Sequence, residues 1–419
     1  MLDIRQLRDD PEGCTKRLRT RNPQLDLGEL LRDDERRLAL LQQVEQLKAR
    51  RNEGSLEVGQ RKKRGEEADD LLAELSQLAA EIDDHEGELR ETSQRVEEML
   101  ASLPNLPHPS VPSGGKSDGI VLRSVGDPPQ PFPGLKHHLE LGTERGLLDF
   151  GRAAKLAGAR FPMYIGLGAR LEMALLQFMF HHHVGRGYTP VWPPFLANRE
   201  SFFVSSQLPK FEDDVYHIEK DDLYLNPTAE SLLVNLHRDE ILEAPRLPLN
   251  YVAYTPCFRR EAGSYGEEER GLLRVHQFNK VELFSFTTPE DSYDALDRVV
   301  ADAESVLVAL GLHYRVVALA SGDLAQQAAK TLDLEVYLPS QRRYYEVSSC
   351  SNCEAFQARR GAIRFRPAPK ARPEYVHTLN GSALATSRLV AALLENNQTE
   401  SGAVRVPEVL RATLGADEL

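Results

Sequence analysis

The chain has 419 residues, 64 acidic against 51 basic side chains, and a formal net charge of -13 at pH 7. That length accommodates a large core plus one accessory domain, and the acidic balance argues against general nucleic-acid affinity, so a polyanionic partner would have to meet a local basic patch. Four scattered cysteines (Cys14, Cys257, Cys350, Cys353) make no disulfide framework, and the lone Cys350-x-x-Cys353 has no second pair or spaced histidines for a zinc site. With no membrane-length apolar run and no signal-peptide core, the expectations are no zinc, no membrane partner and a cytoplasmic location.

In chain order, Leu40, Val44 and Leu47 come first, spaced by threes and fours in a charged segment that reads as an amphipathic helix. Ala68, Leu71, Leu75, Leu78, Ile82, His85, Leu89, Thr92, Val96, Met99 and Leu103 repeat that spacing as an a/d seam with polar members only at His85 and Thr92. The segment between, KARRNEGSLEVGQRKKRG, has glycines at 54, 59 and 65 and reads as a turn. The two helices are therefore expected to fold back as an antiparallel coiled-coil arm over residues 1–103. The tip of this arm carries Lys48, Arg50, Arg51, Arg61, Lys62, Lys63 and Arg64. Such a run is often merely solvated, but against an acidic arm it suits contacts to phosphates, which give affinity and register rather than base readout.

Prolines at 104, 107, 109 and 112 and a glycine pair mark residues 104–118 as a linker. The remainder, 119–419, mixes strand-like runs such as PLNYVAYTPCF with helices such as RLEMALLQFMFHHHV, which indicates an α+β domain. His181, His182 and His183 point in different directions on a helix and cannot share one metal.

The chemistry-bearing stretch runs from Phe258 to Glu282, FRREAGSYGEEERGLLRVHQFNKVE, two strands joined by a long loop with a Gly-Ser turn. Arg259, Arg270 and Arg274 can hold polyanionic oxygens, Phe278 offers a flat face to a base, and Glu261 and Glu282 can accept from amino groups. This composition suits a nucleoside triphosphate beside a zwitterion. Glu346, Ser348 and Ser349, in EVSSCS at the end of the strand-like EVYLPSQRRYYE, offer hard oxygens suited to magnesium. Residues 378–388, TLNGSALATSR, read as a polar Gly-containing turn opening a helix with Arg388 near its start, where phosphate would be welcome. Thr228-Ala229-Glu230 follows the apolar LYL.

FRREAGSYG…RGLLRVHQFNKVE resembles motif 2 of class II aminoacyl-tRNA synthetases, TLNGSALATSRLVAALLENNQ resembles motif 3, and GYTPVWPPF (187–195), with Pro194, resembles motif 1. With Thr-Ala-Glu and EVSSCS, the wording is similar to that of the seryl-tRNA synthetase family over essentially the whole chain. The resemblance implies an antiparallel sheet of six to seven strands flanked by helices, a homodimer formed through motif 1, and a two-step reaction. In that reaction L-serine and ATP form a seryl-adenylate, and the seryl group then passes to tRNA(Ser), and to tRNA(Sec) where that tRNA is present.

It further implies that Arg259, Glu261 and Arg388 carry the catalytic step. Arg259 would bridge the carboxylate and α-phosphate, Glu261 would read the adenine amino group, and Phe278 would stack on the base against Arg388. Arg260, Val275, Val347 and Ser348 complete the nucleotide contacts, with Arg274 and Arg388 on the outer phosphates. Glu346 and Ser349 would hold Mg2+. Serine would meet Thr228, Ala229, Glu230, Arg259, Glu282, Asn380 and Ser382, with Glu282 and Ser382 on its hydroxyl and Thr228 and Glu230 on its ammonium. The arm would grip the long variable arm of the tRNA.

Three segments depart from the family pattern. Val204-Ser205-Ser206-Gln207 stands where a Gly-containing loop is usual, Arg260 where a small residue is, and Ala355 where an aspartate is. A specialised paralogue, an amino acid:carrier protein ligase and an inactive RNA-binding homologue remain as alternative readings.

Overall fold

A computed structural model of the chain describes residues 1–262 and 270–419, so the expected Gly263-Ser264 turn lies outside the described residues. The chain divides into two compact units, Leu2–Leu103 and Pro104–Leu419, the latter including Met1. No helix among the described residues is long and apolar enough to cross a membrane.

The first unit has two short helices, α1 (Ile4–Asp9) and α2 (Pro11–Arg21), and two long ones, α3 (Gly28–Lys63) and α4 (Asp69–Ser102). Along α4 the seam buries Leu78, Ile82, Thr92 and Val96, against Leu40, Val44 and Val58 of α3. Ion pairs Arg95–Asp33 (3.1 Å), Arg36–Glu88 (2.6 Å) and Arg61–Asp70 (3.1 Å) run in opposite directions along the two helices, which are therefore antiparallel. Exposed pairs of this kind contribute little stability; their value is in register.

The expected turn over 48–65 is shorter than the glycines suggested, because α3 runs through Gly54 and Gly59 to Lys63 and only Gly65, at φ +75°, reverses the chain. Gly54 is there for packing: a Cβ would stand 2.9 Å from Leu75 Cδ2 of α4. The basic cluster is consequently split. Arg61, Lys62, Lys63 and Arg64 sit at the turn, whereas Lys48, Arg50 and Arg51 lie roughly 20 Å down the helix at 1.5 Å per residue.

The second unit is built on an eight-stranded sheet. Its strands are β1 (Ile120–Val125), β2 (Thr189–Val191), β3 (Leu249–Phe258), β4 (Gln277–Thr287), β5 (Tyr314–Ala318), β6 (Lys330–Leu338), β7 (Arg343–Asn352) and β8 (His377–Ala385), in the order β1-β5-β6-β7-β8-β4-β3-β2. All neighbours are antiparallel except β2, which adds to β3 in parallel at the edge. The expected antiparallel sheet is thus present, extended by that short parallel strand.

Alternation along β4 sends Val281 and Leu283 into one apolar core, shared with α5 (Leu167–Gly185), α6 (Ser292–Ala309) and α7 (Thr386–Asn396), and Phe284 and Phe286 into a second.

Two segments fold differently from their sequence reading. EVYLPSQRRYYE is a hairpin rather than one strand, turning between Leu338 and Arg343 with Arg342 at φ +52°. TLNGSALA is the central strand β8 rather than a turn, and Gly381 serves packing, since a Cβ there would stand 2.4 Å from Val299 Cγ1 of α6. The helix starts only at Thr386.

Candidate active site

The site grows from the polar end of the β4 face that carries Phe284 and Phe286. On that face, at every second residue, stand Glu282, Lys280 and Phe278. Opposite on β3, Cys257 pairs with Phe278 and Ala253 with Glu282; on β8, Ser382 pairs with Glu282. A register shift in the β6–β7 ladder makes Val347 an extra residue between the pairs Glu335–Glu346 and Leu334–Ser348. Such a bulge inverts the alternation, and so Glu346 and Ser349, three apart, both reach the same hollow.

Two adjoining hollows result, sharing Arg259, Glu261, Lys280, Glu346 and Ser382. The outer one adds Arg274, Val275, Phe278, Val347 and Arg388. Its cations are held in place: Arg274 Nε donates to Glu261 at 2.7 Å, and Arg388 donates to the Leu273 and Glu346 carbonyls at 3.0 and 2.7 Å. The Arg259 guanidinium lies 5.2 Å from the Phe278 ring centre, so in this state Arg259 rather than Arg388 covers that ring. Glu261 has φ +53°, a conformation side chains seldom adopt, and the bend is tied down by Asp214, which accepts from the Ala262 and Arg260 amides at 2.9 Å each.

The inner hollow, about 350 Å³, is lined by Thr228, Glu230, Glu282, Gln327, Ser349 and Asn380 among others. Lys280 Nζ pairs with Glu282 and donates to Thr228 Oγ1 at 2.8 Å. Glu230 has no such cation partner among the described residues; one carboxylate oxygen accepts instead from the amides of Gln327 (2.8 Å) and Gln357 (2.7 Å). Burial, then the neighbouring Glu282 charge, push its pKa up to about 7.

Some residues named from the sequence lie elsewhere. Ala229 is buried in the second apolar core. Ser348 is buried and its hydroxyl donates to the Ser382 carbonyl. Arg260 turns outward, donating to the Val215 carbonyl at 3.1 Å and lying 5.1 Å from the Tyr216 ring centre. Arg270 lines a separate surface hollow with His137 and Glu140. The departing segment begins at the last residue of a helix, Arg199–Val204, and carries Ser206 at φ +71°, a position a glycine would occupy with less strain. Ala355 stands at a helix N-cap with no side-chain cap bond, which an aspartate could supply.

Lys280, Gln327, Gln357, Asp333 and Asp214 escaped the sequence reading. Lys280 alone left a signal, since it lies two residues before Glu282 in a strand. Asp333 pairs across the ladder with Ser349, which bonds it, and its Oδ1 is buried without a partner; burial, then Glu346, hold its pKa well above the usual carboxylate range. A second cluster, His137, His138 and Glu395, could geometrically hold a metal. His138 is already saturated, however, bonded to Glu395 at 2.8 Å and accepting from the Leu272 amide at 3.2 Å. It reads as a strut between α7 and the strand β4 approach.

The chain is similar to known proteins along its whole length. Residues 210–397 match the tRNA synthetase class II core domain (G, H, P, S and T), and residues 1–107 match the seryl-tRNA synthetase N-terminal domain. The serine–tRNA ligase of Carboxydothermus hydrogenoformans is 49% identical over 100% of this chain and 99% of its own length. That of Geobacter sulfurreducens is 50% identical over 99% of each. The crystal structure of seryl-tRNA synthetase from Pyrococcus horikoshii complexed with ATP superimposes with a TM-score of 0.95 at 38% identity, covering 100% of this chain and 99% of that one. The chain belongs to the seryl-tRNA synthetase family of class II aminoacyl-tRNA synthetases.

Proposed function

We propose that the two hollows form one serine-activating site and that the chain joins L-serine to tRNA(Ser) at the expense of ATP. The observation that carries this reading is the place of Arg259, on the border between a cation-lined outer hollow and a carboxylate-lined inner one. A bound ATP would set its phosphates toward Arg274 and Arg388 and its base against Phe278. Serine would sit inside, its ammonium toward Glu230 and Thr228 and its hydroxyl toward Glu282 and Ser382. Its carboxylate would then meet the α-phosphate beside Arg259.

The nucleophile is already an anion, so activation needs alignment and charge neutralisation more than a base. The serine carboxylate oxygen bonds to the α-phosphorus as pyrophosphate leaves. In the second step the terminal ribose hydroxyl of tRNA attacks the seryl carbonyl and AMP departs. Glu346 and Ser349 are hard oxygen donors on one wall, with the partnerless Asp333 oxygen behind Ser349, a set that fits Mg2+. When bound, that ion would offset negative charge on the phosphates.

The arm (1–103) would bring its Lys62, Lys63 and Arg64 to the tRNA variable arm, joined through 104–118 to the catalytic part (119–419). tRNA(Sec), where present, would be a second acceptor. Motif 1 and its preceding helix expose Trp192 (72%) and Met173 (66%), apolar surface that a twofold homodimer would cover.

ATP–pyrophosphate exchange measured with each of the twenty amino acids tests the activation step. Exchange is expected with serine; equal exchange with alanine or threonine would overturn the assignment.

A further inference from the structure

The carboxylates facing the two hollows are unevenly matched. Glu261 has Arg274 at 2.7 Å, Glu346 has Arg388 at 3.5 Å, and Glu282 has Lys280. Glu230, among the described residues, has amides in place of a cation. Lys280 could in principle have served either Glu282 or Glu230, since its charge is felt by both. It is 6% exposed, and its ammonium is fixed by Glu282 and by the Thr228 hydroxyl, which itself lies 3.4 Å from Glu282.

We propose that Lys280 is a positioning residue that acts through Glu282: it fixes that carboxylate in place as the acceptor for the substrate hydroxyl, and leaves Glu230 as the carboxylate that takes the substrate ammonium. The inference rests on the serine reading above and deepens it. An ammonium cannot be confused between two carboxylates when one is already neutralised, and a hydroxyl donates most strongly to an ionised acceptor. The other charged groups lining the inner hollow are Arg259, Glu261, Glu346 and Asp214, of which Glu261 and Glu346 have their own cations and Asp214 accepts from the Ala262 amide.

The test is the ratio of kcat/KM for serine to that for alanine in pyrophosphate exchange, followed from pH 6 to 9. Both amino acids carry the ammonium, so titration of Glu230 cancels and the ratio reports the hydroxyl contact. In Lys280→Met the ratio should fall at least about tenfold below the wild type, because the hydroxyl acceptor is no longer held in place. Lys280→Arg, which keeps a cation beside Glu282, should retain most of the wild-type ratio.

Should Lys280→Met fold poorly, thermal unfolding of the cycle decides. The double variant Lys280→Met/Glu282→Gln removes both charges together and should melt above either single variant, because each single leaves one buried partner uncompensated. A ratio that does not fall in Lys280→Met, one that falls as far in Lys280→Arg, or unfolding effects that simply add, would overturn the role of Lys280. A wild type without serine-dependent exchange would instead overturn the serine reading.

Discussion

At the scale of single residues, the inner hollow turns on two carboxylates with different partners. Glu282 has a cation and a hydroxyl beside it, so Glu282→Ala removes a buried charged acceptor. The expected cost is about 2–4 kcal/mol in kcat/KM for serine, with a smaller loss for alanine, so that discrimination falls with rate. Competing exchange kinetics for the two amino acids check it. Glu230 behaves differently because burial and Glu282 push its pKa up to about 7. Its ionised form attracts the substrate ammonium, so kcat/KM for serine should fall as pH drops through about 7, and Glu230→Gln should abolish that limb while lowering affinity. The sign for stability is the reverse of the usual carboxylate. The folded pKa lies above the unfolded one, so the contribution is complete in acid and is lost as pH rises from the ordinary carboxylate range through about 7. Thermal melts at pH 8 should therefore find Glu230→Gln more stable than the wild type.

At the scale of elements, the arm separates two kinds of basic residue. Arg61 is already tied to Asp70 and Glu57 at 3.1 Å, and Arg64 to Glu66 at 3.3 Å, whereas Lys62 and Lys63 are exposed. Cations in the last turn also suit the helix dipole, a purely structural role. Replacing Arg61, Lys62, Lys63 and Arg64 with glutamine should leave serine-dependent exchange intact while weakening tRNA binding and flattening its salt dependence by about one unit of slope per lost phosphate contact. Parallel loss of exchange and charging across a salt series would make the patch structural.

The same arm shows where the sequence could and could not be read. The seam of α4 was legible because burial repeats every three to four residues, down to the buried Thr92. The glycines were misleading, since Gly54 and Gly381 exist for close approach of Leu75 and Val299 rather than for turning. No spacing rule distinguishes those uses, because each depends on a neighbour remote in the chain. The β7 bulge likewise decides that Glu346 and Ser349 share a side, and nothing local announces it. Motif residues on regular strand, such as Phe278 and Glu282, were legible in number and in face. Their buried supports, Gln327, Gln357 and Asp333, were not, since their roles come from side chains brought in by other elements.

At the scale of the whole molecule, the proposed homodimer rests on motif 1. Trp192 packs beside Tyr254, with ring centres 5.5 Å apart and the planes tilted by 55°, yet remains 72% exposed. An exposed aromatic beside apolar neighbours marks a surface that a partner covers. Light scattering should give twice the chain mass for the wild type, and Trp192→Glu should shift the population toward monomer; a monomeric wild type with full activity would exclude the assembly. The central claim, however, concerns the acceptor as much as the activation, because a carrier-protein ligase would share the adenylation step and an inactive homologue would lack it. The most direct measurement is transfer of radiolabelled serine to purified tRNA(Ser) by the full chain, with ATP and Mg2+. ATP-dependent label is expected in acid-precipitable, RNase-sensitive form, released by mild base as a ribose ester is. Serine activation without label on tRNA, or no activation at all, would contradict the central claim.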